Sequence, residues 1–130
     1  MEVYVEYLRG VQFEIKARQH SLLSDQPVEN GGQGGGVTPP ELLLAALGSC
    51  AAYYAVLYLR KRGLPVEGTR VAVSASKAAQ PARLNDFLIR VESGLSLTQD
   101  QQHGMRQAVE HCLIHNTLLH APTIRIDVHP

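Results

Sequence analysis

The stretch Thr38–Gly63, "TPPELLLAALGSCAAYYAVLYLRKRG", decides how the rest of the chain is read. Thr38 suits a helix N-cap and Pro39 the first helical position, while Glu41, three residues after the cap, can return the capping bond. Gly63, followed by Pro65, supplies the stop. The pattern predicts one helix from about Pro39 to Arg62. Eighteen consecutive residues within it, Leu42 to Leu59, carry no charge. A helix apolar on every face is the central helix of a core or a membrane span, and this run reaches only the lower edge of a span. The small residues Ala45, Ala46, Gly48, Ser49, Ala51, Ala52 and Ala55, with amphipathic segments on both sides, favour the core, so no membrane is expected.

The flanks alternate as strands do. Val3–Leu8 and Val11–Ala17 flank Arg9-Gly10 and read as an antiparallel hairpin, with His20–Pro27 as a third, shorter strand. Gly31–Gly36 brings five glycines into six residues. It lacks the Lys-Ser/Thr ending of a phosphate loop and reads as a mobile surface loop bordering a site. Beyond the helix, Val66–Ser76 and Phe87–Val91 form a second pair around "AAQPARLND". Thr98 caps a helix whose apolar positions Met105, Val109 and Cys112 or Leu113 recur at helical spacing. "HNTLLHAP" breaks that helix, Asn116 or Thr117 suits a further short turn, and "TIRIDVHP" closes as a strand. The order βββ-α-ββ-α-β has no repeat and no linker. It points to one domain, residues 1–130, of the α+β class rather than a doubly wound sheet.

Twelve basic and twelve acidic residues cancel, which removes the electrostatic footprint of a nucleic-acid binder. The one basic cluster, Arg60–Arg62, complements the negative end of the helix dipole. The opening "MEVYVEYLRG" has no basic start or apolar block, so a cytoplasmic location is expected. In a reducing compartment Cys50 and Cys112 are reactive, metal-binding or simply buried rather than a permanent disulfide.

Cys50 falls in the third turn of the long helix, away from the N-terminus whose dipole could activate a thiol. It is either a small core hydrophobe or a nucleophile helped from elsewhere in the fold. The face formed by Ala45, Gly48, Ser49 and Ala52 allows another helix to approach beside it. Cys112 sits between His111 and His115. Cys-x-x-His is half of a zinc site to which Cys50 could add a ligand, or a polar helix end. A third chemistry uses both thiols: one attacks a peroxide and becomes a sulfenic acid, and the other condenses with it to a disulfide.

"GGGVTPPELLLAALGSCAAYYAV" together with "AVEHCLIHNTL", with the two cysteines sixty-two positions apart, resembles the OsmC/Ohr family of osmotically inducible and organic hydroperoxide resistance proteins. The resemblance implies an α+β, intertwined homodimer in which antiparallel sheets from both chains surround the long central helices. It implies a thiol peroxidase acting on organic hydroperoxides, with Cys50 attacking and Cys112 resolving. A dithiol such as a lipoylated protein would be the reductant, and no metal or organic cofactor is involved. The family also places an arginine in the first hairpin, where Arg9 is the positional match and Arg18 the second choice. Its glutamate lies ten residues before the attacking cysteine, and here that position is Pro40.

Glu41, one residue later, is rotated by about 100° around the helix. It faces away from Cys50 of its own chain, some 13 Å along the axis, so it could approach a thiol only across an antiparallel helix pair. A capping role accounts for it equally. Leu42, Leu43, Tyr53 and Tyr54 are the expected pocket walls. Two other functions fit the same residues: a non-catalytic dimer holding a small apolar or thiol ligand in the interface cleft, and a redox-sensing or metal-binding module using His115.

Overall fold

The long helix forms where its capping pattern places it. In the computed structural model, which describes residues 1–130, α1 spans Pro39–Lys61. The Thr38 N–H and hydroxyl donate to Glu41 Oε1 at 2.9 and 2.8 Å, and the Glu41 N–H donates back to Thr38 Oγ1 at 3.3 Å. The reciprocal bonds satisfy donors that the first turn would otherwise leave unpaired. At the other end Gly63 takes φ +66°. The Leu64 N–H then reaches Leu59 O and the Gly63 N–H reaches Arg60 O, each at 3.0 Å, a glycine-dependent closure of the last turn. The chain divides at Leu43/Leu44, inside α1, into two compact units.

In the first unit, β1 (Tyr4–Arg9), β2 (Gln12–Ala17) and β3 (His20–Ser24) form an antiparallel sheet in that order. A register shift between Tyr7 and Arg9 places Arg9 opposite Gln12. The buried residues of this sheet and the loop after it are polar: Gln12, Ser24 and Asp25. Val3, Tyr4, Val5, Tyr7 and Phe13 stay exposed, although β1 and β2 alternate as core-facing strands do.

The glycine-rich loop is tied by hydrogen bonds and close backbone packing. Asp25 accepts the backbone N–H of Gly35 at 3.0 Å and of Gln26 at 2.7 Å, and Val37 forms a bridge with Ser24. A Cβ on Gly32 would lie 1.9 Å from Gln26 O, and one on Gly36 would lie 2.4 Å from Leu23 O. These two glycines are required because backbone passes against backbone, and flexibility is not their role.

In the second unit α1 continues beside β4 (Arg70–Ala78) and β5 (Arg83–Glu92), an antiparallel pair. Helix α2 (Gln99–Val109) carries a full capping box from Thr98 to Gln101. The core joins Ala51, Ala55, Tyr58 and Leu59 of α1 to Met105 and Val109 of α2, with Val71, Ile89 and Val91 packed against it. The small-residue face of α1 meets strands rather than a helix within this unit, since a Cβ on Gly48 would lie 3.1 Å from Val73 Cγ2. Ala45, Ala46, Ser49 and Tyr53 remain exposed on α1.

The α2 helix ends earlier than its hydrophobic spacing predicts. It stops at Val109, and Cys112 caps a separate short helix, α3 (Leu113–Leu119). The expected closing strand "TIRIDVHP" has no ladder partner within the chain. Its Ile124, Ile126 and Val128 are 80%, 85% and 88% exposed.

One glycine in the second unit gives a test of packing. A Cβ on Gly104 would lie 2.6 Å from the Tyr58 hydroxyl oxygen and 2.7 and 2.9 Å from two carbons of its ring. Tyr58 is 5% exposed, and the Arg62 guanidinium stacks 3.9 Å from its ring centroid. Glycine to alanine inside a helix ordinarily stabilises by about 1 kcal/mol. Here overpacking of roughly 1–3 kcal/mol opposes that gain, and the ring has nowhere to move. Gly104→Ala is expected to lower the melting temperature by about 5 °C. A higher melting temperature would show that the ring yields.

Candidate active site

Two thiols meet in the second unit. Cys50 is half-buried on α1, and Cys112 is fully buried at the N-cap of α3; both are free. The two side chains are neighbours, near enough for Cys50 to bear on the Cys112 thiol. Cys112 takes its place just after the early end of α2. The chain turns tightly after Val109, with His111 N–H to Ala108 O and Cys112 N–H to Val109 O, each 3.1 Å, and then restarts as α3. Cys112 Sγ accepts the His115 backbone N–H at 3.4 Å, a thiol in the place usually taken by a capping hydroxyl.

Burial pushes the Cys112 thiol above the ordinary range, and the hydrogen bond with Cys50 pushes it further. The backbone N–H groups of His115 and Ile114 pull the other way. The buried partner is therefore held as a neutral thiol while the more accessible one lies beside it. The two thiols differ in access: Cys50 is the more exposed and Cys112 the more shielded.

The same shift makes a stability prediction. The folded chain keeps a proton on Cys112 that the unfolded chain releases near pH ~8.5. Above that pH the native state binds more protons than the unfolded state, so stability falls as pH rises toward the folded value. The stabilisation is fully present below the unfolded value. Urea midpoints measured from neutral to alkaline pH should decline more steeply for wild type than for Cys112→Ala. Parallel profiles would show that Cys112 does not carry the effect.

The other expected site residues lie in the first unit, each with surroundings of its own. Arg9 Nη1 donates to Gln12 Oε1, and Gln12 Nε2 lies 3.4 Å from Asp25 Oδ2. Asp25, 2% exposed, is held below the usual carboxylate range, chiefly by the Gly35 backbone N–H and then by that of Gln26. Arg18 stands exposed in the turn between β2 and β3 at φ +54°. Glu41 is exposed, and the Thr38 backbone N–H, then its hydroxyl, hold its carboxylate low. Leu42 and Leu43 are half-buried. Tyr53 and Tyr54, in the second unit, form an edge-to-face pair with centroids 5.2 Å apart.

Sequence reasoning missed the Asp25 hub. The available signal was local: an Asp directly before Gln-Pro, at the mouth of a glycine run, is suited to accepting backbone N–H groups. No group of three or more His, Cys, Asp or Glu side chains is placed to hold an ion.

Antiparallel sheets, a long central helix and two neighbouring free thiols define an α+β fold with a cysteine pair. The sequence profile of OsmC-like proteins matches residues 32–127. The chain belongs to the OsmC-like family. Solved structures agree on the fold. A Psychrobacter arcticus 273-4 protein assigned to osmotic stress induction and the detoxification response aligns with TM-score 0.80 at 23% identity, over 88% of this chain and 85% of that one. An OsmC-like protein from Mycoplasma pneumoniae aligns with TM-score 0.76 at 18% identity, over 92% and 87%. An organic hydroperoxide resistance protein OsmC from Legionella pneumophila aligns with TM-score 0.70 at 17% identity, over 91% and 89%. The comparison with curated proteins gave no match.

Proposed function

We propose that this protein is a cysteine-based thiol peroxidase that reduces organic hydroperoxides, with Cys50 as the attacking thiol and Cys112 as the resolving one. The observation that carries the reading is a pair of neighbouring free thiols, one half-buried and the other sealed and held protonated. Family membership and the Legionella relative named for organic hydroperoxide resistance support a redox role of this kind.

The chemistry balances with these two residues. Cys50 sulfur attacks one oxygen of the peroxide, the O–O bond breaks, and the thiol proton leaves with the alcohol. Cys50 is then a sulfenic acid. Cys112 attacks it, an S–S bond forms, and the Cys112 proton departs with the hydroxyl as water. An external dithiol, such as that of a lipoylated protein, reopens the disulfide by exchange and is itself oxidised to a disulfide.

Arg9 is the cation we assign to Cys50, with Arg18 as the second candidate. Gln12 and Asp25 hold Arg9 in a fixed orientation within its own unit. Glu41 acts first as the α1 cap, which is consistent with Pro40 standing where a glutamate is expected. Leu42, Leu43, Tyr53 and Tyr54 are the apolar walls for the organic part of the substrate. The working form is a cytoplasmic homodimer, which the exposed apolar strands and the unpartnered C-terminal segment support.

The direct test is thiol counting. Reduced protein treated with stoichiometric cumene hydroperoxide should lose both thiols rapidly and gain one intramolecular disulfide by intact and peptide mass. If both thiols persist through prolonged exposure, the peroxidase reading fails.

A further inference from the structure

A second pocket lies on the second unit, between β5, α2 and α3. It has a volume of about 230 Å³ and a floor of Ile89, Val91, Met105 and Val109, with Gln102, Arg106, Glu110 and His115 around it. Neither thiol lines it, although His115 also donates its backbone N–H to Cys112 Sγ. Apolar floors with a few polar groups are the ordinary composition of small-molecule sites.

The polar groups specify the ligand. The ion pairs of this chain are made by Lys16, so Arg106 on α2 and Glu110 at its C-cap, four positions apart, do not pair with each other or with another residue. Gln102 Nε2 is already used, donating to Leu97 O at 3.0 Å. His115 Nδ1 is buried with no hydrogen-bond partner. An orphaned buried N–H is costlier and rarer than an orphaned lone pair. The proton therefore belongs on Nε2, and the open edge of the ring is a donor. Arg106 and His115 both line the cleft, so both can offer donors to a ligand in it, and a carboxylate is the group that accepts from both. Glu110 beside them repels a second negative charge.

We infer that this cleft binds a small apolar monocarboxylate, its chain on Ile89, Val91, Met105 and Val109 and its carboxylate between Arg106 and His115. The inference goes beyond the peroxidase reading and does not depend on it.

Hexanoate is a suitable probe, titrated into the full chain with amide NMR shifts as the readout. Shifts should cluster at Arg106, Val109 and His115. Hexanoate should bind about tenfold tighter than hexanol, since one charge-assisted contact is worth roughly that ratio. Adipate and hexylamine should bind no better than hexanol. Arg106→Gln, at an exposed position, should weaken hexanoate about tenfold, and His115→Phe, which keeps the ring volume, should weaken it several-fold. Arg106→Gln should still form the Cys50–Cys112 disulfide on peroxide treatment. Equal affinity for hexanoate and hexanol, shifts mapping elsewhere, or an unchanged affinity in Arg106→Gln would overturn the carboxylate site. Loss of disulfide formation in Arg106→Gln would merge the cleft with the thiol site and overturn it as a separate one.

Discussion

Cys50→Ser is expected to lower organic hydroperoxide reduction by ~1,000-fold or more, while Cys112→Ser completes a single turnover and stops. Removing a nucleophile removes the whole covalent route, which is why its effect is measured in orders of magnitude. The two variants differ because the thiols have different surroundings. Cys50 is half-buried and reachable, whereas Cys112 is fully buried, protonated and beside Cys50. Without Cys112 the sulfenic acid forms but has no internal thiol to condense with. It should accumulate as a one-oxygen adduct that dimedone captures. Without Cys50, Cys112 should stay a thiol after the same treatment. The opposite pattern, with Cys50→Ser trapping the adduct, would exchange the two roles, and activity surviving in Cys50→Ser would remove the thiol mechanism altogether.

How much of this was legible follows from the range of the forces involved. The long helix was readable because its determinants are local: Thr38, Pro39 and Glu41 at one end and Gly63 at the other lie within a turn of the groups they satisfy. The hairpin and the β4–β5 pair were readable because alternation has the two-residue period of a strand. The break before α3 was not readable, since Met105, Val109 and Cys112 keep helical spacing through it. It is decided by a thiol replacing a hydroxyl as the cap. The packing of the Gly31–Gly36 loop was not readable, because glycine composition signals flexibility and close backbone approach equally. Only the carbonyls of Gln26 and Leu23 against Gly32 and Gly36 separate the two. The thiol pair joins residues sixty-two positions apart. No local rule brings them together, and the resemblance to a family supplied that pairing. The cleft at Arg106 and His115 had no sequence signal at all, because an unpartnered ring nitrogen is visible only once its neighbours are placed.

Replacing Ile124 and Ile126 together by lysine is expected to turn the proposed dimer into a monomer. The segment Thr123–Val128 alternates as a strand yet pairs with none in its own chain, and Ile124, Ile126 and Val128 are 80%, 85% and 88% exposed. Burying such side chains is worth about 1.5–3 kcal/mol each, and unpaired strand edges recruit other chains. The first unit has the complementary need. Its buried residues are the polar Gln12, Ser24 and Asp25, while Val5, Tyr7 and Phe13 remain 60%, 65% and 37% exposed. A unit without an apolar core of its own is stabilised when another chain covers those strands. In a symmetric pair each substitution acts twice, so the double variant should raise the dimer dissociation constant by at least ~10³-fold. Sedimentation velocity over a dilution series reads this directly. A wild-type chain that sediments as a monomer at every concentration, or a double variant that remains dimeric, would exclude the C-terminal segment as the element that joins two copies. A monomeric double variant that has also lost disulfide formation would place the site across the interface, where the charge that activates Cys50 comes from the second chain.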